Sequence, residues 1–381
     1  MHKVVLPKLE ISTAFEVMMK ARLKNRASNL MFSLIGYQKN GANTSLLAVG
    51  TDGMTTMHVL QSEKHTEYFI DEIDRLVNQF EKDTKMPRLI PKKYKIREIE
   101  SANGKKRNIT IPCLRDQVVI KCILNRLNTI GITDEQNKPN PRIDVLIRKA
   151  TDLISKEHKK KIIRTDISNF YPSINRKLLL EKLRSSHGEQ IGTPIINLIE
   201  KFIDNNKSSD DYTGLPVGVG ISVLLANYYI SQMNLSEQIP QAEIIRYEDD
   251  FLIIVDASVD EVAVMNKFDK VLDTFSLKRN LEKTKVFNAI DEFDFLGVSF
   301  KNGKPFIPDE RFDRWKKTVK EDIKKQFKEL KILKLLNQNI NIPQNKKIVE
   351  SIWREHKTGL RSKFYKHRMR INNISLTNQP K

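Results

Sequence analysis

Three aspartates carry the densest chemistry in this chain. The stretch Ile244-Ile245-Arg246-Tyr247-Glu248-Asp249-Asp250-Phe251-Leu252-Ile253-Ile254-Val255 sets a short acidic break between two runs rich in β-branched residues, the pattern of a hairpin with carboxylates at its tip. Upstream, the β-rich run Lys161-Ile162-Ile163-Arg164-Thr165 ends at Asp166, and the chain turns at Pro172 into a helical pattern over 175–183. Side chains of adjacent strand residues point to opposite faces, so Asp249 and Asp250 share one site only where the backbone leaves regular strand geometry. Acidic residues also serve plain turns, and an aspartate at a strand end also caps helices. The apolar flanks argue for more, because carboxylates crowded against buried strands repel one another unless a cation neutralises them. Asp166 brought beside Asp249 and Asp250 would present hard oxygen ligands suited to Mg²⁺, with positions left for water and phosphate oxygens. That donor set suits two-metal phosphoryl or nucleotidyl transfer, one ion activating an attacking hydroxyl and the other stabilising the leaving pyrophosphate.

The elements that must position these residues lie in the middle of a 381-residue chain, a length that predicts two or three structural units. An amphipathic pattern over 14–34 (Phe15, Met18, Met19, Leu23, Leu30, Met31) and another over 66–82 (Tyr68, Ile70, Ile73, Leu76, Val77, Phe80) predict helices in an N-terminal extension. Pro87 and Pro91 punctuate the chain and set a boundary near residue 92. From there to about residue 300 short strand patterns alternate with helices, without internal repeats. After Pro308, Asp309 precedes Phe312, Trp315, Val319, Ile323, Phe327, Leu330 and Leu333 at helical spacing, and a second helical stretch follows Pro343. The expected organisation is therefore an extension over 1–92, a mixed region over 93–300 and a basic helical region over 301–381.

Charge narrows the partners. Lys and Arg number 66 against 47 Asp and Glu, a net +19, and residues 301–381 hold 22 of the former against 8 of the latter. Such a block implies a polyanion, foremost nucleic acid, with Lys316, Lys317, Lys324, Lys325, Arg361 and Lys363 as candidates to hold its backbone. The bland alternative is a solvated helix face. Hydrophobic residues make up 39% of the chain, which argues against a disordered basic tail. Two cysteines, Cys113 and Cys122, lack zinc-type spacing and point to the reducing cytoplasm. The start Met1-His2-Lys3 has no apolar signal region, and the longest apolar-leaning run, Val217 to Ile230, is broken by Gly, Ser and Asn, so neither secretion nor a membrane partner is expected.

The order of motifs resembles the reverse transcriptase family. Asp166 with Phe170-Tyr171, Gly214-Leu215-Pro216-Val217-Gly218 leading through Ser222 to Leu225-Ala226-Asn227, and Tyr247-Glu248-Asp249-Asp250 follow the order of that family's palm. Lys105-Lys106-Arg107-Asn108-Ile109 through Ile111-Pro112 and Asp116-Gln117-Val118-Val119 resemble its fingers entry, Leu277 to Asn280 with Lys283-Thr284 its lysine motif, and Phe295-Leu296-Gly297 its primer-grip segment. About 200 residues, 103–300, are covered. The Pro-Val-Gly form at 216–218 is most like bacterial abortive-infection and defence-associated members. Gly218-Val219-Gly220-Ile221 departs from the usual continuation, and the second fingers motif has no plain match around Asn140-Pro141-Arg142.

The resemblance implies an α/β (α+β) right-hand polymerase with fingers and palm built on antiparallel sheet plus helices, and a helical thumb. It implies RNA-directed DNA synthesis from dNTPs with two Mg²⁺ ions, for which Mn²⁺ can substitute, on an RNA template that in a defence system would be a dedicated non-coding RNA. It implies that Asp166, Asp249 and Asp250 hold the metals. Lys283 would face the leaving triphosphate as cation or proton donor, and Arg107 with Lys105 or Lys106 would contact triphosphate oxygens; a solvated lysine and a surface basic cluster are the alternatives. Phe170 and Tyr171 would lie at the nucleotide, the Tyr171 ring crowding the sugar 2′ position, against plain core packing. Tyr247 would pack near the primer end, and Gly214, Pro216 and Gly218 would let the backbone approach base pair and template, against a plain loop. Untemplated, repetitive or protein-primed synthesis on the same fold is one rival, and an RNA-binding scaffold on an inactive polymerase fold is another. A homo-oligomer or a partner protein is compatible with either.

Overall fold

A computed structural model describes residues 5–19, 63–81, 86–100, 106–133, 143–155, 159–205 and 214–311, together with 313, 314, 316–321, 323, 324, 354 and 358. In chain order the elements are helix α1 (8–19), α2 (Glu63–Asn78), strands β1 (Lys95–Glu100) and β2 (Lys106–Ile111), α3 (Leu114–Ile130), α4 (Ile143–Ser155), β3 (Lys160–Asp166), α5 (Phe170–Ser173), α6 (Arg176–Ile191), α7 (Thr193–Asp204), α8 (Gly220–Ser231), α9 (Leu235–Gln238), β4 (Ala242–Tyr247), β5 (Asp250–Asp256), α10 (Glu261–Thr274), β6 (Lys285–Asn288), β7 (Phe293–Phe295), β8 (Val298–Lys301) and β9 (Lys304–Phe306). The fold is α+β, as expected. The described residues fall into two compact units, one within Met1–Met19, Leu46–Pro141 and Ile163–Lys285, the other within Arg142–Ile162 and Val286–Lys381.

In the first unit β4 and β5 form an antiparallel hairpin, and β5 lies between β4 and β3. Five consecutive β5 residues, Phe251 to Val255, are buried, as expected of a strand covered on both faces. Helix α8 is buried nearly all round, through Ile221, Leu224, Leu225, Ala226, Tyr228, Tyr229 and Ile230, the signature of a core helix rather than an amphipathic surface one. The Tyr229 hydroxyl finds its partner in the Phe275 carbonyl at 2.7 Å. Helix α6 starts where Asn175 caps it, its side chain accepting the Leu178 N–H at 3.0 Å. The β1–β2 hairpin pairs antiparallel from Lys95 with Ile111 to Glu100 with Lys106, and every β1 side chain is exposed.

The N-terminal stretch departs from the expected boundary at residue 92. Helix α1 starts at residue 8 rather than 14, because Pro7 lacks an N–H and its carbonyl takes the Ile11 N–H at 3.3 Å. Its stripe of Ile11, Ala14 and Phe15 is buried in the core shared with α2 and α3, and Asn78 closes the join by accepting the N–H groups of Val5 (2.8 Å) and Leu6 (3.1 Å). Residues 5–19 thus belong to the same unit as the β3–β5 sheet. Residues 20–34 of the expected first helix lie outside the described residues.

In the second unit the Lys160 carbonyl accepts the Ala289 N–H at 3.0 Å. Strands β7, β8 and β9 form an antiparallel meander in which Phe293 stacks on Phe300, ring centroids 5.0 Å apart. Its β7–β8 turn holds Phe295-Leu296-Gly297, with Leu296 (φ +49) and Gly297 (φ +79) both left-handed. The described residues from Asp309 to Lys324 are helical, and Lys316, Lys317 and Lys324 are exposed on them. Lys325, Arg361, Lys363 and nearly all of the second basic stretch lie outside the described residues.

Candidate active site

The three aspartates meet at one end of the β4–β5–β3 sheet. Register pairs Tyr247 with Asp250, which leaves Glu248 and Asp249 as a two-residue turn, and Glu248 takes the left-handed region at φ +55. A non-glycine residue there is strained, and the structure braces it from below. Arg246 donates to the Glu248 carbonyl (3.0 Å) and to Asn227 Oδ1 on α8 (2.9 Å). The turn is joined to the end of β3 by the Ile167 N–H, which donates to the Asp249 carbonyl at 3.2 Å. The other side of Asp166 is pinned as well, its carbonyl accepting the Asn280 N–H (2.9 Å) while Ser168 N–H donates to Lys278 (2.8 Å). A Thr165–Thr284 hydroxyl pair at 2.8 Å ties the 278–284 segment to β3.

Electrostatics follow from this crowding. Burial pushes the Asp249 carboxyl above its usual range and the Asp166 charge adds to the rise, while Lys283 and Arg107 pull against it. Asp250 is raised by burial against the pull of Arg164, with Asp249 and Asp166 contributing further. Glu248 is raised by burial and by Asp249. The Tyr171 hydroxyl is pushed up to about 12 by burial and then by the charges of Glu248 and Asp249.

The outer carboxylates already have cations of the chain as partners. Lys283 Nζ donates to Asp166 Oδ2, and Arg164 Nε stands 3.6 Å from Asp250 Oδ1. Asp166 Oδ1 is buried and accepts no hydrogen bond. Arg164, which shares a face of β3 with Asp166, thus stands as the chain's own cation beside Asp250, while Asp249 and Asp166 still act on that carboxyl.

The remaining expected residues divide. Tyr171 lies beside the acidic turn, and Phe170 does not reach it openly: its ring is 4% exposed, in the core, edge-on to Tyr171 with centroids 5.5 Å apart. Direct substrate contact by Phe170 is thus corrected to core support for Tyr171. Gly214 (φ +80) donates to Ile174 at 2.8 Å, and the Pro216 carbonyl accepts the Ser222 hydroxyl at 2.8 Å. Gly218 (φ +96) is approached by the chain itself: a Cβ there would meet Ile109 Cγ2 at 2.5 Å and the Thr110 carbonyl oxygen at 2.9 Å, and Thr110 N–H donates to Val217 at 2.7 Å. The glycine therefore seats β2 against the 214–218 loop. Lys106 pairs with Glu98 at 2.9 Å across the hairpin, and Tyr247 is half-buried on β4. Lys105 lies outside the described residues. Sequence reasoning missed Arg164 as partner of Asp250 and Arg246 with Asn227 as the brace of the turn, and only the Arg and Asn within the quoted motifs gave any signal.

The family described as reverse transcriptase (RNA-dependent DNA polymerase) matches residues 90–300. The chain belongs to the reverse transcriptase family. That match takes in β1 to β8 and every aspartate of the site. Protein YkfC of Escherichia coli (strain K12) is 25% identical over 245 residues, which are 52% of this chain and 64% of that protein. The chain thus spans less than two thirds of this curated relative's length. Among solved structures, apo telomerase from Candida tropicalis, truncated from its C-terminal domain, is 17% identical with a TM-score of 0.43 over 57% of this chain and 55% of that one. Telomerase from Candida albicans in complex with a TWJ fragment of telomeric RNA is 14% identical with a TM-score of 0.45 over 80% and 59%.

Proposed function

We propose that this reverse transcriptase family member is an active RNA-directed DNA polymerase, in which Asp166 and Asp249 hold divalent cations, Mg²⁺ above all. The observation that carries the reading is the juxtaposition at the sheet end: a buried, unpartnered Asp166 oxygen beside an Asp249 whose charge is disfavoured in its surroundings. Such a pair is costly without an outside cation, and its hard oxygen donors fit Mg²⁺ or Mn²⁺. When bound, the ions supply activation of the attacking hydroxyl and charge stabilisation at the departing pyrophosphate.

The chain's own residues do the rest. Arg107 reaches the site electrostatically and offers a planar fork matched to phosphate oxygens, and Lys105 and Lys106 precede it in the sequence. Tyr171, supported by Phe170, excludes a sugar 2′ hydroxyl and thereby selects deoxynucleotides. Lys283 places a positive charge or a proton at the leaving group. Residues 93–300 are read as fingers and palm, and 301–381 as a basic thumb whose Lys316, Lys317 and Lys324 hold nucleic-acid backbone. The Pro216-Val217-Gly218 form supports a place among bacterial defence-associated members working with a dedicated RNA.

Extension of a DNA primer on an RNA template by the purified chain in Mg²⁺ tests the reading. Incorporation of dNTPs that disappears in Asp166→Asn is the expected result; equal incorporation by that variant refutes the assignment.

A further inference from the structure

Lys283 reaches inward from an exposed segment. Its side chain is 65% exposed while that of Asp166 is 14% exposed, and the oxygen it pairs with belongs to the carboxylate whose other oxygen is buried and unpartnered. The ammonium also acts on Asp249. One monovalent cation of the chain thus pairs with Asp166 and eases the charge on its neighbour Asp249.

The segment carrying Lys283 is held without the ion pair. Asn280 N–H donates to the Asp166 carbonyl at 2.9 Å, Thr284 N–H to the Asn280 carbonyl at 3.1 Å, and the Thr284 and Thr165 hydroxyls pair at 2.8 Å. The backbone therefore has no need to move when the ammonium leaves; rotation of a four-carbon stem into water suffices, and water screening makes so exposed a pair weak. Arg164 differs in rising from β3 itself, two residues before Asp166, and in being less exposed than Lys283, 38% against 65%.

We propose that Lys283 is a placeholder for the divalent cation: it neutralises Asp166 while the site is empty, an entering metal ion displaces it, and the freed ammonium then faces the incoming polyanionic nucleotide. Metal loading and delivery of Lys283 to the triphosphate become one event. The inference rests on the reading of Asp166 and Asp249 as the metal-holding pair.

Direct Mn²⁺ titration of the nucleotide-free protein, followed by the electron paramagnetic resonance of free Mn²⁺, separates the two claims. Lys283→Met and Lys283→Gln should bind Mn²⁺ roughly 3- to 10-fold tighter than the parent, the size expected for removing one partly screened like charge, while Asp166→Asn and Asp249→Asn lose the site. In the unmutated protein, acetylation of Lys283 mapped by mass spectrometry should rise when Mn²⁺ is added, and in Asp166→Asn it should be high without metal. Unchanged or weaker Mn²⁺ binding in the Lys283 variants, with binding still lost in Asp166→Asn, overturns the placeholder and leaves the site reading intact. Parent-like Mn²⁺ binding in both aspartate variants overturns the two together.

Discussion

Two groups of buried acid in the first unit have opposite fates. Asp116 on α3 is fully buried, yet its carboxylate receives Arg115 Nε (3.0 Å), Arg115 Nη2 (2.8 Å) and the Lys92 N–H (2.8 Å). At the sheet end, Asp166 keeps a buried oxygen without a partner, and Asp249 sits on a strained two-residue turn braced through Arg246 to Asn227, with a backbone N–H as the hydrogen bond to its carboxylate. Burial raises both Asp116 and Asp249, so depth alone does not tell them apart. The difference lies in how the charge is met: Asp116 is hydrogen-bonded through both carboxylate oxygens, whereas Asp166 has one oxygen paired with the exposed Lys283 and the other without a partner. A satisfied buried carboxylate is a structural tie, and an unsatisfied one calls for a partner.

The largest effect expected from this contrast is on rate. Asp166→Asn or Asp249→Asn should lower single-turnover incorporation by on the order of a thousandfold or more with an unchanged circular dichroism spectrum, and Asp250→Asn should cost less, because Arg164 already claims that carboxylate. Next is a stability effect without a catalytic one. Asp116→Ala strands Arg115 and should lower the unfolding free energy by about 3 kcal/mol, read in a urea titration, while the rate per folded molecule stays close to the parent's. Smaller again, Tyr171→Val should raise ribonucleotide use relative to deoxynucleotide use by roughly tenfold, the scale of one steric pocket contact, measured as the ratio of the two kcat/KM values.

The smallest effect concerns pH. A carboxylate whose folded pKa is raised costs stability above that pKa, and the cost fades as pH falls toward the unfolded value. In metal-free buffer Asp249→Asn should therefore melt a few degrees above the parent at neutral pH, with the gap closing as pH drops toward 4. A gap that widens in acid would mean that Asp249 is stabilised as an anion by the fold.

Much of this site is legible in the amino-acid sequence because it is local. Alternating β-branched runs around Glu248-Asp249 demand a hairpin with those residues at its tip, and the observed Tyr247–Asp250 register is that hairpin. Asp166 at a strand end is visible in the same way. The partners are not legible, because they depend on which strands and helices become neighbours. Arg164 meets Asp250 only once β5 lies beside β3, and Arg246 meets Asn227 only through α8. Gly218 invites the thought of a ligand, since a positive φ and a missing Cβ suit any close approach, yet β2 fills that space. Phe170 and Tyr171 are neighbours of one chemical type, and only the packing of α5 sends one into the core and the other toward the acidic turn. In the N-terminal stretch the apolar spacing is right and the limits are not, because Pro7 sets the start and Asn78, 72 residues from Leu6, sets the contact.

The central claim, that Asp166 and Asp249 are completed by an outside cation while Asp116 is completed by the chain, is tested most directly by melting the protein across a Mg²⁺ titration. A ligand that binds only the folded state raises the melting temperature with its concentration. The parent and the Asp116→Ala variant should both climb, from different starting points, and Asp249→Asn should stay flat. A parent that does not respond to Mg²⁺, or an Asp249→Asn protein that climbs as the parent does, contradicts the account.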